Sequence, residues 1–287
     1  MNTCVCVICF KPDDIWINFL NTFVHYDIFL IIDDNRVNYK DIYKDYIKIN
    51  FIQIPNAETK AAGFIKTDFD KNGHGWSKAL YYFSSINTRY TKVWFLEYDV
   101  FLYNENTLLN IDSKYIESDL LSNSYGINAT GHKNSWHWPR IDIKIPPPYY
   151  SCMCCAVRMS QILLSKIKDY ATKYNTLFFH EALTPTMCNS NNLLHDTPDE
   201  LKNIVYSKEY KYSDINKINL YHPVKNLKDH LLYRNQRHTT ISVNNISNPY
   251  KIKRFPMKLF SFKNIRLSTE SYGSKRLREL FPNIINK

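Results

Sequence analysis

The sequence predicts an α/β protein with a Rossmann-like, mostly parallel central sheet flanked by helices. Three observations lead there. Four runs within the first 102 residues are apolar almost throughout, as strands covered on both faces must be. Between them lie segments whose apolar residues recur at helical spacing. Six glycines, 44% hydrophobic residues and no internal repeat give the 287-residue chain the make-up of a packed body rather than a flexible array.

Residues 3–10 (TCVCVICF) form the first expected strand. Asp13 or Asp14 then caps a helix with Ile15, Trp16, Phe19, Leu20 and Phe23 along one face. Residues 27–34 (DIFLIIDD) make a second strand closed by two acids. A short helix over 39–46 leads to a third strand, 49–54. Gly73-His74-Gly75 breaks the chain before a helix over 76–86, and residues 92–102 (KVWFLEYDVFL) form the fourth strand. The second half is less regular. An aromatic, proline-bearing segment spans 132–150, helices are expected over 159–174 and 181–189, and a short strand over 218–221. Ligands of such sheets bind beyond the carboxyl ends of the strands, which makes the acids there the first candidates.

The seven cysteines (Cys4, Cys6, Cys9, Cys152, Cys154, Cys155 and Cys188) are odd in number and cluster on expected strands, which fits buried free thiols. Alternation puts Cys4 and Cys6 on one face of their strand and Cys9 on the other, so a zinc site there is not expected. The net charge of +10 is uneven. Residues 251–287 hold ten Lys or Arg against two Glu, a net +8 that leaves +2 for the rest. Lys275, Arg276 and Arg278 with Leu277, Leu280 and Phe281 fit a short amphipathic helix on an anionic membrane surface. A merely solvated basic face is the plain alternative. A nucleic-acid-binding protein is the reading from another class. No RNA-recognition, helix-turn-helix or zinc-finger pattern supports it, so no specific nucleic-acid partner is expected. The start of the chain lacks the basic end of a secretory signal, and no apolar run approaches the roughly 20 residues that span a bilayer. A cytoplasmic protein, at most peripheral to a membrane, is expected.

The chemistry centres on Glu97-Tyr98-Asp99. In an extended chain, side chains two apart share a face, so Glu97 and Asp99 should point together and Tyr98 away. Two such carboxylates suit a hard divalent cation, Mn²⁺ or Mg²⁺, bridging a diphosphate, although paired acids at a solvated strand end are common. Lys78, on the helix that begins at Trp76, and Lys225 near the late strand are candidates to reach phosphates, with a solvated helix lysine the plain alternative for Lys78. Trp136 and Trp138, with His137 and Arg140, offer a stacking platform for a sugar acceptor, or else pack beneath a loop.

The run TKVWFLEYDVFL resembles the strand and DxD-type motif of GT-A fold glycosyltransferases, with Glu in place of the first Asp. The order of parts extends the resemblance over roughly residues 1–230. It comprises an apolar strand, an acid-ended strand, the Trp76-Ser77-Lys78-Ala79-Leu80 helix, the acid motif, a downstream Glu and a late His. The resemblance implies a GT-A domain over 1–250, its nucleotide-binding half ending near 104 and its acceptor-binding half following, with 251–287 as a basic tail. It implies transfer of a hexosyl or N-acetylhexosaminyl group from a nucleotide sugar, a UDP-sugar above all, to a hydroxyl of a glycan, protein or lipid-linked acceptor. Asp99, ahead of Glu97, would hold the metal, and His222 in LYHPVK would complete its shell. Asp33 or Asp34 would hold the uracil or ribose. Glu181 in FFHEALTPT would be the general base of an inverting transfer. The runner-up, a nucleotidyltransferase, calls for a Gly-rich basic loop after the first strand, where this chain has FKPDD.

Overall fold

The computed structural model describes residues 2–66, 74–133 and 136–235. The basic tail, with its expected membrane contact, lies outside the described residues, as does Gly73. In chain order the elements are β1 (Thr3–Cys9), α1 (Asp14–Leu20), β2 (Asp27–Ile32), α2 (Tyr39–Ile42), β3 (Ile49–Gln53), α3 (Asn56–Ala61) and α4 (Gly75–Tyr81). A π-helical turn, Tyr82–Ile86, extends α4. There follow β4 (Lys92–Glu97), α5 (Glu105–Lys114), β5 (Leu120–Asn128), β6 (Tyr149–Ser160), α6 (Gln161–Tyr174) and α7 (His180–Ser190). The last elements are β7 (His195–Asp196), β8 (Asn203–Ile204), β9 (Tyr221–His222) and α8 (Leu227–Arg234).

Seven strands form one sheet in the order β3-β2-β1-β4-β6-β5-β7. Strands β1 to β4 pair in parallel with one another in the order β3-β2-β1-β4, and β5 pairs in parallel with β7. Only β6 runs against its neighbours β4 and β5. The fold is therefore the expected mixed α/β, Rossmann-like arrangement. Alternation along β1 divides its cysteines as expected: Cys4 and Cys6 pack on one face with Trp76, Phe83, Leu163 and Leu183. Cys9 packs on the other with Trp16, Leu20, Leu108 and Ile111. Helices α4, α6 and α7 thus cover one face, and α1 and α5 the other. All seven cysteines are buried free thiols.

The body closes around a buried ion pair. Arg158 of β6 is fully buried, and its Nη1 donates to Asp112 Oδ1 at 2.6 Å. Asp112 also accepts from Tyr26 Oη at 2.6 Å and from Trp94 Nε1 at 3.1 Å, while the second Arg158 nitrogen donates to the Tyr115 carbonyl. Removing one partner of such a pair strands an uncompensated charge. Asp112→Ala is expected to lower stability by about 3–5 kcal/mol in urea unfolding.

Several bounds differ from the sequence expectations. The fourth strand ends at Glu97, because Tyr98 and Asp99 turn, with Val100 N bonded to Glu97 O at 3.0 Å. Residues 39–46 give only the single turn Tyr39–Ile42. The segment expected to be irregular up to residue 150 enters β6 at Tyr149, and the helix expected from 159 starts after its cap, Ser160. The late strand is Tyr221–His222 rather than 218–221.

Candidate active site

The carboxyl ends of β1, β2 and β4 open onto a cleft of about 230 Å³ whose lining includes Asp33, Lys66, Trp76, Glu97, Tyr98 and His180. Register builds it: Ile8 of β1 pairs with Glu97 of β4, so the last residues of both strands reach the rim together. Tyr98 does not face away as an extended chain would require. The turn leaves it 46% exposed and lining the same cleft.

That turn still brings the two acids together. Asp99 Oδ1 lies 3.4 Å from His222 Nε2, and Glu97 Oε2 lies 3.9 Å from the same nitrogen. Asp99 is held from its backbone, whose carbonyl accepts from Val224 N at 2.7 Å, while β9 docks through the pairing of Phe101 with Tyr221. His222 Nδ1 donates to the Val205 carbonyl at 2.7 Å, which leaves Nε2 facing the acids. Burial opposes charge on this ring, yet the neighbouring Asp99 carboxylate outweighs it and raises its pKa. Asp99 is buried, and its Oδ1 accepts no hydrogen bond. An orphaned buried carboxylate oxygen beside an oriented imidazole and a second carboxylate fits a divalent cation.

Glu97 accepts a 2.7 Å hydrogen bond from Trp76 Nε1. Burial raises its pKa, and Asp99 adds to the rise. Trp76 in turn stacks on His180, with centroids 4.8 Å apart and planes at 14°. Burial, then the charge of Lys66, holds His180 well below the usual imidazole range. Glu181 follows it in the first turn of α7, within the electrostatic field of Glu97, His222 and Lys66. A helix N-terminus favours a carboxylate. Here burial wins, with the Glu97 charge second, and the Glu181 pKa is pushed up to about 7.

The remaining expected residues divide. Asp33 lines the cleft, but Lys78 does not reach it. Lys78 is fully buried, and its ammonium is held 2.8 Å from both the carbonyl and Oδ1 of Asp33. It holds Asp33 and is buried rather than solvated. Asp34 is turned to its own side: Arg36 Nε donates to Oδ1 at 2.7 Å, Arg36 Nη2 to Oδ2 at 3.1 Å and Tyr39 Oη to Oδ2 at 2.9 Å. Arg36 foremost holds the Asp34 carboxyl well below the usual range. Lys225 is exposed and lines a different depression, with Tyr210 and Tyr233. Trp138 is buried, its ring 6.0 Å from that of Tyr149. Trp136 is 43% exposed, its ring 5.8 Å from that of Phe179, the residue before α7.

Four neighbours were not anticipated from the sequence: Lys66, Trp76 and His180 on the cleft wall, and Cys155 beside Glu97 and His222. None of the four carried a usable signal, since strand pairing and helix packing bring them to the site.

No family model matches this sequence, and no curated protein matches it. Among solved structures, the chain is similar to 4-diphosphocytidyl-2C-methyl-D-erythritol synthase from Anaerococcus prevotii, with 9% identity, a TM-score of 0.41, and 81% of this chain and 93% of that one covered. It is also similar to the mannosyltransferase Ktr4p from S. cerevisiae, with 14% identity, a TM-score of 0.35 and 60% of each chain covered.

Proposed function

We propose that the cleft binds a nucleotide-sugar donor and that the protein is a divalent-metal-dependent glycosyltransferase, transferring the sugar to a hydroxyl acceptor with inversion. One observation carries this reading: Glu97, Asp99 and His222 converge at the end of β4, with Glu181, its pKa near 7, in the field of the same group. Glu97, Asp99 and His222 would hold the cation, and the imidazole favours Mn²⁺ over Mg²⁺. When bound, the cation neutralises charge developing on the leaving diphosphate.

The chain's own residues have distinct tasks. Asp33, fixed by buried Lys78, faces the donor from the end of β2. Glu181 takes the proton from the acceptor hydroxyl oxygen as that oxygen attacks the anomeric carbon, and a pKa near 7 suits a base at neutral pH. Trp136 offers an exposed ring for stacking the acceptor. The nucleotidyltransferase alternative is not favoured, since Phe10-Lys11-Pro12-Asp13 follows β1 without glycine and Asp13 instead caps α1.

Incubation with a panel of nucleotide sugars and Mn²⁺ should release a nucleoside diphosphate from one of them. Release of pyrophosphate from a nucleoside triphosphate and a sugar phosphate would favour the alternative instead. Trp76→Phe keeps a ring on His180 but removes the donor to Glu97. It is expected to weaken Mn²⁺ binding by roughly 10- to 100-fold, as loss of an orienting partner does at a metal site. Calorimetric titration with Mn²⁺ checks this.

A further inference from the structure

Strand β6 pairs with β4 in antiparallel register, and Leu96 opposite Ala156 is the last pair before the turn. One step further along the same register sets Cys155 beside Glu97. The ligand atoms of Glu97, Cys155 and His222 accordingly lie within 4.8 Å of one another, the only such His, Cys and acid cluster among the described residues. Asp99 adds a buried oxygen that accepts no hydrogen bond, 3.4 Å from His222 Nε2.

We propose, on the reading of Glu97, Asp99 and His222 as a cation site, that the Cys155 sulfur is its fourth ligand. The centre then prefers a borderline cation, Zn²⁺ or Co²⁺, to Mg²⁺ or Mn²⁺. Two carboxylate oxygens, one imidazole nitrogen and one sulfur make the mixed four-donor set that zinc accepts in tetrahedral geometry. Mg²⁺ demands near-octahedral oxygen ligation and dehydrates reluctantly. A thiolate shifts selectivity toward softer ions, whereas carboxylate and water favour Mg²⁺ and Mn²⁺. On binding, the S–H bond breaks, its electron pair stays on sulfur to coordinate the ion, and the proton leaves to solvent. The other β6 thiols are placed differently: Cys152 and Cys154 lie on the opposite face, their sulfurs 3.5 Å apart, and Cys154 donates to the His180 carbonyl at 3.4 Å.

The full chain, stripped of metal, is titrated with Co²⁺ alone and followed optically. An intense near-ultraviolet thiolate-to-cobalt band is expected in the wild type. Cys155→Ser should lose the band and bind Zn²⁺ roughly 10- to 100-fold more weakly in competition with a chromophoric chelator. Its Mn²⁺ binding, read by electron paramagnetic resonance, should persist, which also shows that the variant is folded. Cys155→Ala takes its place should the serine variant fail to fold. Co²⁺ bound without the band, or a band that survives in Cys155→Ser, overturns the fourth ligand while leaving the cation site standing. A wild-type chain that binds neither Co²⁺ nor Mn²⁺ overturns the cation site itself, and this proposal with it.

Discussion

Asp99→Asn is expected to abolish metal-dependent donor binding while leaving the fold intact. The amide keeps the shape of the side chain, and the loop is tied through the Asp99 carbonyl to Val224 N, a bond the substitution does not touch. What is lost is the negative charge at a buried oxygen 3.4 Å from His222 Nε2. A cation held against a diphosphate supplies several kcal/mol, so on the order of 10³-fold in turnover should vanish with it. Glu97→Gln should be milder, because Trp76 Nε1 can still donate to the remaining carbonyl oxygen. Calorimetry of a UDP-sugar with and without Mn²⁺ reads the effect directly. Undiminished turnover of the wild type in excess chelator would sink the metal-dependent reading, whatever the variant does.

The part of the fold legible in the sequence is the part where one physical rule acts alone. Strands buried on both faces must be apolar along their length, and β1, β2 and β4 are apart from their end residues, so their places and order could be read directly. β5 could not be. Its sequence LLSNSYGIN is polar in its second half, and its register against β6 shifts twice, so neither strand periodicity survives. β6 was obscured by Arg158, which looks like a surface residue and is instead fully buried because Asp112, far away in sequence, neutralises it. The site divides in the same way. Glu97 and Asp99 announce themselves by spacing, although they meet through a turn and not through an extended strand. Trp138 and Lys78 were legible as residue types but not as environments, since burial is decided by the loop above one and by Asp33 beside the other. Cys155, Trp76 and His180 come to the site through strand pairing and helix packing, which no local pattern in the chain encodes.

Glu181→Gln is expected to separate catalysis from stability in opposite directions. A positioned base contributes about 10²- to 10⁴-fold, so turnover should fall by that factor while donor affinity stays nearly constant. In the wild type, turnover should rise as pH climbs toward about 7, where Glu181 loses its proton, and flatten above. The stability effect follows from the same burial. An unfolded chain ionises this carboxyl near the ordinary value, roughly 4.3, whereas the native state keeps the proton up to about 7. Between those values the native state binds more protons than the unfolded one, so stability falls as pH rises and the full penalty applies above 7. At roughly 1.4 kcal/mol per pH unit, the metal-free protein forfeits about 4 kcal/mol there. Gln cannot ionise, so the variant should lack this slope. The buried amide carries its own cost, about 1–3 kcal/mol if it finds no partner, but that cost does not vary with pH. Urea unfolding of both proteins at pH 5 and pH 8 therefore isolates the effect: the difference should move in favour of Glu181→Gln at the higher pH. A difference that stays flat would mean Glu181 is ionised at neutral pH like an ordinary surface acid. A transfer product that keeps the donor's anomeric configuration would remove the single-displacement role assigned to it.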